Sequence, residues 1–314
     1  MRILVPDEEL AGACRERLQE KFPDRGKQSQ IRVWDIDSGV EPPSADFVVT
    51  ARPKAKSGYS RIGLVRSLRH VHLLSLGYDW IRGYLPKDVS VSNSKGAIES
   101  TTAEFALTLT LAALRDLTRV YAQAQERFWS RDFWTSSLVG SRVLVLGYGG
   151  VGRATVRRVE SFAPASVEVI AGKARLHKDG RRINGPEALY DLLGTADVVI
   201  VTLPHNESTD RLVNVKFLKA MTDGALLVNV GRSAIVDHSA LVAELRSHRL
   251  RAALDVVEPE PLPEDSDLWD VPNLLLSPHL GGNTYECIRR CRELAIEQVV
   301  RFGAGEPVIN VVSR

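Results

Sequence analysis

Six short runs of almost uninterrupted apolar residues follow one another through the second half of the chain. They constrain the fold more than any other feature. Each run is three to six residues long. Apolar runs of this length are typical of central strands in a parallel sheet that helices cover on both faces, and six in series predict a doubly wound sheet. The runs are Val143–Leu146, Val167–Ile170, Val198–Leu203, Leu226–Val230, Ala252–Leu254 and Leu274–Leu276.

The first hundred residues carry a second, weaker series of the same kind. Helical patterns over Leu10–Leu18 and Ile62–Leu68 lie between some of its runs. Strand alternating with helix again favours a parallel α/β sheet. The predicted strands are Arg2–Val5, Ile31–Trp34, Phe47–Val49, Val71–Ser75 and Val89–Val91.

The two series predict two doubly wound α/β domains, one inserted into the other. A long helix is predicted over Glu99–Val120, with Ser100, Thr101 or Thr102 as its N-cap. The last helix is predicted over Glu286–Phe302. We therefore expect a first domain made of residues 1–97 and 285–314, and a second domain made of residues 98–284.

Composition excludes several classes of function. The 314 residues carry a net charge of only +2, which gives no basis for nucleic-acid binding. The longest apolar stretch, Ala106–Leu114, is about half the length of a membrane span, and the N-terminus does not resemble a signal peptide. Three cysteines fit a reducing compartment, and Cys287 with Cys291 would not complete a metal site. These features predict a cytoplasmic protein without a metal.

A glycine-rich segment follows the first of the six runs and opens a helical pattern. It reads Gly147-Tyr148-Gly149-Gly150-Val151-Gly152, a G-x-G-x-x-G fingerprint. In this context the first glycine permits the turn, the second lets the backbone approach a pyrophosphate, and the third lets the helix lie close to the sheet. The helix N-terminus favours phosphate groups. The fingerprint predicts a dinucleotide site.

The residues after the second strand of this domain predict which dinucleotide binds. An acidic residue that holds the adenosine ribose of NAD is expected about twenty residues after the fingerprint. Lys173 stands there instead, Arg175 follows, and the first acid is Asp179. Cations at this position suit the 2′-phosphate of NADP. A solvated basic loop without function is the alternative, and NAD remains the alternative cofactor.

Polar residues follow three of the later strands, at the edge where open α/β sheets keep their ligands. Arg232 follows one strand, two glutamates lie in Asp255–Pro261, and His279 follows a third strand. Arginine binds a carboxylate, and histidine can donate a proton to the alkoxide formed when a 2-keto acid is reduced. Each residue taken alone could equally be an ordinary surface charge or cap, but together they favour an oxidoreductase.

Three motifs give the chain its resemblance to a known family. The segments Val228–Asp237, Leu254–Pro263 and Ser277–Gly281 resemble the arginine, glutamate and histidine motifs of the D-isomer-specific 2-hydroxyacid dehydrogenases, except that Ser233 replaces the usual glycine. The resemblance implies a Rossmann cofactor domain inserted into a smaller, flavodoxin-like substrate domain. It assigns catalysis to Arg232, Glu260 and His279, with Glu260 rather than Glu258 as the catalytic acid.

The resemblance also implies binding residues. It assigns the substrate carboxylate to the loop Leu76, Gly77 and Tyr78, together with Arg232. Beyond the fingerprint and the cations, it implies that the cofactor contacts Thr102, Leu203, Pro204, Val230, Gly231, Arg232, Asp255, His279 and Gly281.

The function implied is reduction of a small 2-keto acid, such as glyoxylate or hydroxypyruvate, with NADP(H). A phosphoglycerate dehydrogenase-like enzyme is one alternative, with Arg52, Lys54 and Lys56 as sources of phosphate-binding charge. A dinucleotide-sensing dimer without turnover is the other. Family members are generally dimers, and the aromatic cluster Phe128, Trp129, Phe133 and Trp134 suits either such an interface or an internal core.

Overall fold

The computed structural model describes residues 1–23, 29–81 and 83–312, and the chain divides into two compact units. The first unit is Met1–Ile98 with Thr284–Arg314, and the second unit is Glu99–Asn283. Numbered along the described residues, the strands are β1 Arg2–Val5, β2 Gln30–Val33, β3 Phe47–Thr50, β4 His70–Leu73, β5 Ser90–Asn93, β6 Arg142–Leu146, β7 Ser166–Ile170, β8 Arg175–Leu176, β9 Arg182–Ile183, β10 Val198–Val201, β11 Leu226–Asn229, β12 Arg251–Leu254 and β13 Leu274–Leu276. The α-helices are α1 Glu8–Lys21, α2 Glu99–Leu114, α3 Leu117–Gln125, α4 Gly150–Glu160, α5 Leu189–Leu193, α6 Val215–Ala220, α7 His238–Arg246 and α8 Tyr285–Ala304.

The first unit is a five-stranded parallel sheet in the order β2-β1-β3-β4-β5. This is the flavodoxin-like order, as the family resemblance implies. Helix α1 begins where the Asp7 carboxylate accepts the N–H of Leu10, and it packs on the sheet together with α8. The prediction of strands in this unit is confirmed.

One helix predicted in the first unit is wrong. Residues 62–68 were expected to form a helix, but a 3₁₀ segment runs over Lys56–Leu64 and ends before a left-handed Ser67 (φ 62°). The apolar side chains that produced the helical pattern, those of Ile62, Val65 and Leu68, are all buried in this unit's core. Their spacing therefore reports burial correctly, but tight turns rather than an α-helix achieve it.

The second unit is a six-stranded parallel sheet in the order β13-β12-β11-β10-β6-β7. Apolar side chains leave both faces of β6: Leu144 and Leu146 pack in one core cluster, and Val143 and Val145 pack in the other. A strand buried on both faces cannot tolerate polar residues at alternate positions, which explains the uninterrupted runs in the sequence. The fold class predicted from the sequence, two parallel α/β domains of Rossmann type, is confirmed.

The long helix predicted at the start of this unit is two helices. Helix α2 ends at Leu114, and α3 begins at Leu117 after Asp116, whose backbone is left-handed (φ 50°). The predicted N-cap residues Ser100, Thr101 and Thr102 lie inside the first turns of α2, which begins at Glu99. A left-handed residue interrupts the hydrogen-bond ladder of a helix, and nothing in the apolar pattern reports it.

The aromatic cluster does not form an internal core. Trp129 and Trp134 are 92% and 101% exposed, and Phe128 is also exposed. The Arg119 guanidinium lies 4.1 Å from the centre of the Phe133 ring. Of the two expectations for these residues, the internal core is wrong.

Candidate functional site

The glycine-rich loop has the geometry that its sequence predicts. Strand β6 ends at Leu146, Gly147 takes a positive φ of 103°, and α4 begins at Gly150. A Cβ atom on Gly152 would lie 2.0 Å from the Gly147 carbonyl oxygen, so only glycine fits there. The Gly147 N–H donates to the carbonyl of Ile170 at the end of β7 (2.8 Å), which fixes the loop against the neighbouring strand.

The same loop leaves room for a phosphate. A Cβ atom built on Gly149 would meet no atom within 4 Å, in contrast to Gly147 and Gly152, where it would clash. Gly149 is the N-cap position of α4, where backbone N–H groups lack partners inside the helix. Open space beside a helix N-terminus fits a dinucleotide pyrophosphate.

Other residues predicted to contact the cofactor cluster around this edge of the sheet. A Cβ atom on Gly281 would lie 2.9 Å from Asp255 Oδ2 and 3.3 Å from Thr102 Cγ2, so these three residues are close neighbours. A Cβ atom on Gly231 would lie 2.6 Å from the carbonyl oxygen of Leu203, so these two residues are also close neighbours. Val230 is buried beside them, and the Pro204 carbonyl accepts the Thr209 hydroxyl. The structure therefore brings together residues that lie far apart in the sequence.

The basic segment after β7 forms a hairpin. Strands β8 and β9 pair antiparallel, with Arg175 opposite Ile183 and Leu176 opposite Arg182. The Arg175 guanidinium donates to the Lys173 backbone carbonyl (3.0 Å), and both side chains are exposed. Sequence reasoning described this segment only as a basic loop.

Sequence reasoning missed the role of Asp179 at the tip of this hairpin. Its carboxylate accepts the hydroxyl of Tyr148, the second residue of the glycine-rich loop, at 2.8 Å. It also lies 2.9 Å from His177 Nδ1 and accepts the backbone N–H of Arg181. These contacts, that with His177 foremost, lower the pKa of Asp179 to about 2. The dipeptide Asp179-Gly180 is a known hairpin signal and could have predicted the turn.

Three adjacent strands carry the predicted catalytic side chains. Asn229, Leu254 and Leu276 are register partners at the carboxyl ends of β11, β12 and β13. Arg232 follows the first of these strands, Glu260 the second and His279 the third. Because neighbouring strands are about 4.8 Å apart, this register places the three residues at one edge of the sheet.

Glu260 and His279 contact each other directly. The Nδ1 atom of His279 lies 3.0 and 3.1 Å from the two carboxylate oxygens of Glu260. An ionised carboxylate only accepts, so Nδ1 carries the proton in this contact. Nε2 is then the ring atom that can exchange a proton with another molecule. The Arg232 guanidinium donates to the carbonyl of the preceding residue, Gly231 (2.8 Å), which holds the guanidinium against its own loop after β11.

A buried aspartate holds the histidine loop in place. The Asp255 carboxylate accepts the Ser277 hydroxyl (2.9 Å) and the backbone N–H groups of Leu280 (2.7 Å) and Gly281 (2.9 Å). The His279 N–H donates to the Asp255 carbonyl, and His279 itself has a positive φ of 59°. Burial raises the pKa of Asp255, although these hydrogen bonds oppose the shift. Asp255 therefore fixes an unusual backbone conformation at the candidate site.

The predicted substrate loop lies in the first unit, directly after β4. The Leu76 carbonyl accepts the Asn93 amide (2.8 Å), and the Gly77 carbonyl accepts the Ser75 hydroxyl (2.8 Å). Leu76, Gly77 and Tyr78 are all half-buried. Because these carbonyls are held by side chains of the same unit, the loop has a defined shape.

Two kinds of feature are absent from the part of the chain that the structure describes. None of its helices has the length and apolar character to cross a membrane. Across residues 1–23, 29–81 and 83–312, no three histidine, cysteine, aspartate or glutamate residues are grouped so that they could hold a metal ion.

The second unit therefore has the fold and loop geometry of a dinucleotide-binding domain. Residues 107–281 match the family model "D-isomer specific 2-hydroxyacid dehydrogenase, NAD binding domain". A glyoxylate reductase from Aeropyrum pernix is 30% identical over 94% of each chain. The chain belongs to the D-isomer-specific 2-hydroxyacid dehydrogenase family, oxidoreductases that use a nicotinamide dinucleotide and act on small keto or hydroxy acids.

Solved structures agree with this assignment. An NADPH-dependent glyoxylate/hydroxypyruvate reductase from Sinorhizobium meliloti, in complex with NADP and malonate, is 26% identical with a TM-score of 0.78, covering 99% of this chain and 96% of that one. A family member from Xanthobacter autotrophicus, in complex with NADPH and MES, is 27% identical with a TM-score of 0.76, covering 99% and 97%.

Proposed function

We propose that this protein reduces small 2-keto acids of the glyoxylate or hydroxypyruvate class with NADPH, and that His279 is the general acid. The hydrogen bond between Glu260 and His279 carries this proposal, since the two residues follow β12 and β13, and β12 is paired with the strand that Arg232 follows. A proton donor held by a carboxylate, together with a guanidinium, is what reduction of a keto acid requires of the protein.

The three side chains have separate roles in this mechanism. Arg232 binds the substrate carboxylate and polarises the keto group. His279 donates the Nε2 proton to the carbonyl oxygen as it gains charge. Glu260 holds Nδ1, which keeps the ring in the tautomer and orientation that direct Nε2 outwards. A bound nicotinamide dinucleotide supplies the hydride.

The glycine-rich loop is proposed to hold that dinucleotide. Gly149, Gly150 and Val151 present the N-terminus of α4 to the pyrophosphate, next to the open space at Gly149. The residues near Gly281, Thr102 and Leu203 line the same edge of the sheet. In the oxidative direction the same histidine accepts the proton.

NADP preference is proposed on the basis of the hairpin. Lys173 and Arg175 are two residues apart and exposed, and no ion pair with a described carboxylate neutralises either of them. Two exposed cations on one short segment suit a 2′-phosphate, which carries up to two negative charges. The S. meliloti and X. autotrophicus relatives, whose complexes contain NADP and NADPH, support the proposal.

The loop Leu76–Tyr78 is proposed to hold the substrate carboxylate through its backbone N–H groups. Its carbonyls are already held by Ser75 and Asn93, which fixes the orientation of the peptide groups.

We also propose that the protein is a homodimer, in which the exposed aromatic side chains Phe128, Trp129 and Trp134 are covered by a second copy.

The first experiment is oxidation of NADPH, and of NADH in parallel, with glyoxylate, hydroxypyruvate and pyruvate, together with the reverse reaction on 3-phosphoglycerate. Turnover of glyoxylate or hydroxypyruvate with NADPH well above NADH supports the proposal. Turnover with NADH alone keeps the reaction and contradicts the cofactor preference. Binding of either cofactor without turnover of any acid contradicts the proposed function and favours a dinucleotide sensor.

A further inference from the structure

The hairpin β8–β9 is attached to the glycine-rich loop at its tip. The Tyr148 hydroxyl donates to Asp179 (2.8 Å), and the His177 ring packs edge-on against the Tyr148 ring with 5.1 Å between centroids. Tyr148 is 7% exposed and packs in a core cluster of the second unit. The contact therefore links a short hairpin, whose strands have two residues each, to a buried side chain.

The hairpin is also attached at its base. Asn184 donates its N–H to the Val169 carbonyl (2.9 Å) and accepts the Ala171 N–H (3.0 Å), and Ile183 is buried in the same cluster as Tyr148. Arg181, which belongs to the turn at the tip and not to the base, donates to the Val167 carbonyl and pairs with Glu160. Lys173 and Arg175 lie between these two attachments, so both fix the position of the cations.

Asp179 is already engaged by protein groups. Its Oδ2 accepts Tyr148, and its Oδ1 contacts both His177 and the Arg181 N–H. A carboxylate that binds ribose hydroxyls needs open acceptor positions directed at the ligand. The three contacts on Asp179, two of them hydrogen bonds from Tyr148 and Arg181, favour an anchor over a replacement for the missing ribose-binding acid.

We propose that the contact between Asp179 and Tyr148 sets cofactor specificity, because it positions Lys173 and Arg175 to bind the 2′-phosphate of the adenosine ribose. Asp179 is thus a positioning residue, and this inference rests on the proposed NADP preference. Arg182 is a cation of the same hairpin that can serve as a comparison. It lies opposite the exposed Leu176, and Arg175 lies opposite Ile183. Because successive residues of a strand point to opposite faces, Arg182 and Arg175 lie on different faces of the hairpin.

Charge and anchoring make opposite predictions for Asp179→Ala. If only charge mattered, removing a carboxylate near the cations would tighten binding of a phosphate. If the carboxylate anchors the hairpin, the same variant binds the phosphate more weakly. We therefore compare the dissociation constant of 5′-AMP with that of adenosine 2′,5′-bisphosphate, as the first divided by the second. We expect this ratio to fall about fivefold or more in Asp179→Ala, as for loss of a hydrogen bond to a charged group.

The experiment is titration calorimetry of both probes with the wild type, Asp179→Ala, Tyr148→Phe and two controls. Asp191→Ala removes an equal charge from an exposed site on α5, and Arg182→Ser removes a cation from the other face of the hairpin. A lowered ratio in Asp179→Ala and Tyr148→Phe, with both controls near wild type, supports the anchor. An unchanged or raised ratio in Asp179→Ala overturns it, and so does selective loss of 5′-AMP binding, which would make Asp179 a ribose ligand.

Hydrogen exchange separates failure of this inference from failure of the proposed function. Amides of residues 172–183 in the cofactor-free protein are expected to exchange faster in Asp179→Ala than in Asp191→Ala. A wild type that binds both probes equally contradicts the NADP preference, whatever the exchange shows. A wild type that prefers the bisphosphate, combined with unchanged exchange in Asp179→Ala, contradicts the anchor alone.

Discussion

At the scale of single residues, the site depends on one side chain holding another. Glu260 accepts from Nδ1 of His279, while the buried Asp255 fixes the backbone on which that histidine stands in a left-handed conformation. A proton donor must be in the correct tautomer and within reach of the substrate oxygen. The two carboxylates supply these conditions separately, one through the ring and the other through the backbone.

Replacing either member of the pair separates their roles. We expect His279→Ala to lower kcat/KM for the keto acid by about 10² or more, because general acid catalysis is lost. Glu260→Gln retains a hydrogen-bond acceptor but not the charge, and we expect a smaller loss. Steady-state kinetics with saturating NADPH measures both. Wild-type rates in His279→Ala would contradict its assignment as the proton donor.

Two histidines of the first unit predict how stability depends on pH. His70 and His72 are buried, and the hydroxyl of Ser92 lies 2.8 Å from Nε2 of the first and Nδ1 of the second. Burial lowers the pKa of His70 to about 4, and burial together with the neighbouring His70 lowers the pKa of His72 to about 3. Both rings are therefore neutral in the folded protein at pH 5.

The sign of the effect follows from linkage. The unfolded chain takes up these protons near pH 6.5 and the folded chain only near pH 3 to 4, so the free energy of unfolding falls as pH decreases through this window. The slope of the unfolding free energy against pH gives the number of protons that the chain takes up on unfolding. We expect this number to be smaller by close to one in His72→Gln, as measured by urea unfolding at a series of pH values. The same substitution at His205, which is half-buried and contacts Asp210, is the control. Equal slopes in wild type and His72→Gln would contradict the prediction.

At the scale of elements, the strands were predictable and the connections were not. Runs such as Val143–Leu146 report a strand because both faces are buried, and residues after each strand end share an edge because the sheet is parallel. That reasoning located Arg232, Glu260 and His279. The left-handed Asp116 and the contact of Asp179 with Tyr148 depend on local backbone and tertiary geometry, which periodicity does not encode.

Two glycines of one loop give opposite predictions. Gly152→Ala places a Cβ atom against the Gly147 carbonyl, and we expect it to lower the free energy of unfolding by about 1–3 kcal/mol, the usual cost of overpacking. Gly149→Ala meets no protein atom, so we expect near-wild-type stability but weak dinucleotide binding. Thermal unfolding and calorimetry with NADPH distinguish the two. Equal destabilisation of both variants would contradict the assignment of open space to a ligand.

At the scale of the whole molecule, the aromatic segment after α3 leaves two large apolar side chains almost fully exposed. Trp129 and Trp134 are 92% and 101% exposed, although tryptophan burial is among the strongest contributions to protein interfaces. Sequence reasoning found this cluster but could not decide between core and interface, since both need large apolar side chains.

We expect the wild type to be a dimer and the double variant Trp129→Ser, Trp134→Ser to be monomeric, because the interface loses its two largest apolar side chains. Sedimentation velocity at micromolar concentration measures the change. Tyr285→Ser, at a 95% exposed aromatic residue of the first unit, is the control and should remain dimeric. A monomeric wild type, or a dimeric double variant, would contradict the proposed assembly.

The location of the hairpin has a consequence for how this lineage could change coenzyme. Strand β7 lies at the edge of its sheet, and the hairpin follows it directly. Among the described residues of the hairpin, only Ile183 is buried in the core. On the proposed function, the cations that select the coenzyme lie in a surface connection outside the layers that hold the domain together. Evolution, or a laboratory graft of about a dozen residues, could therefore exchange one coenzyme for the other without repacking a single strand.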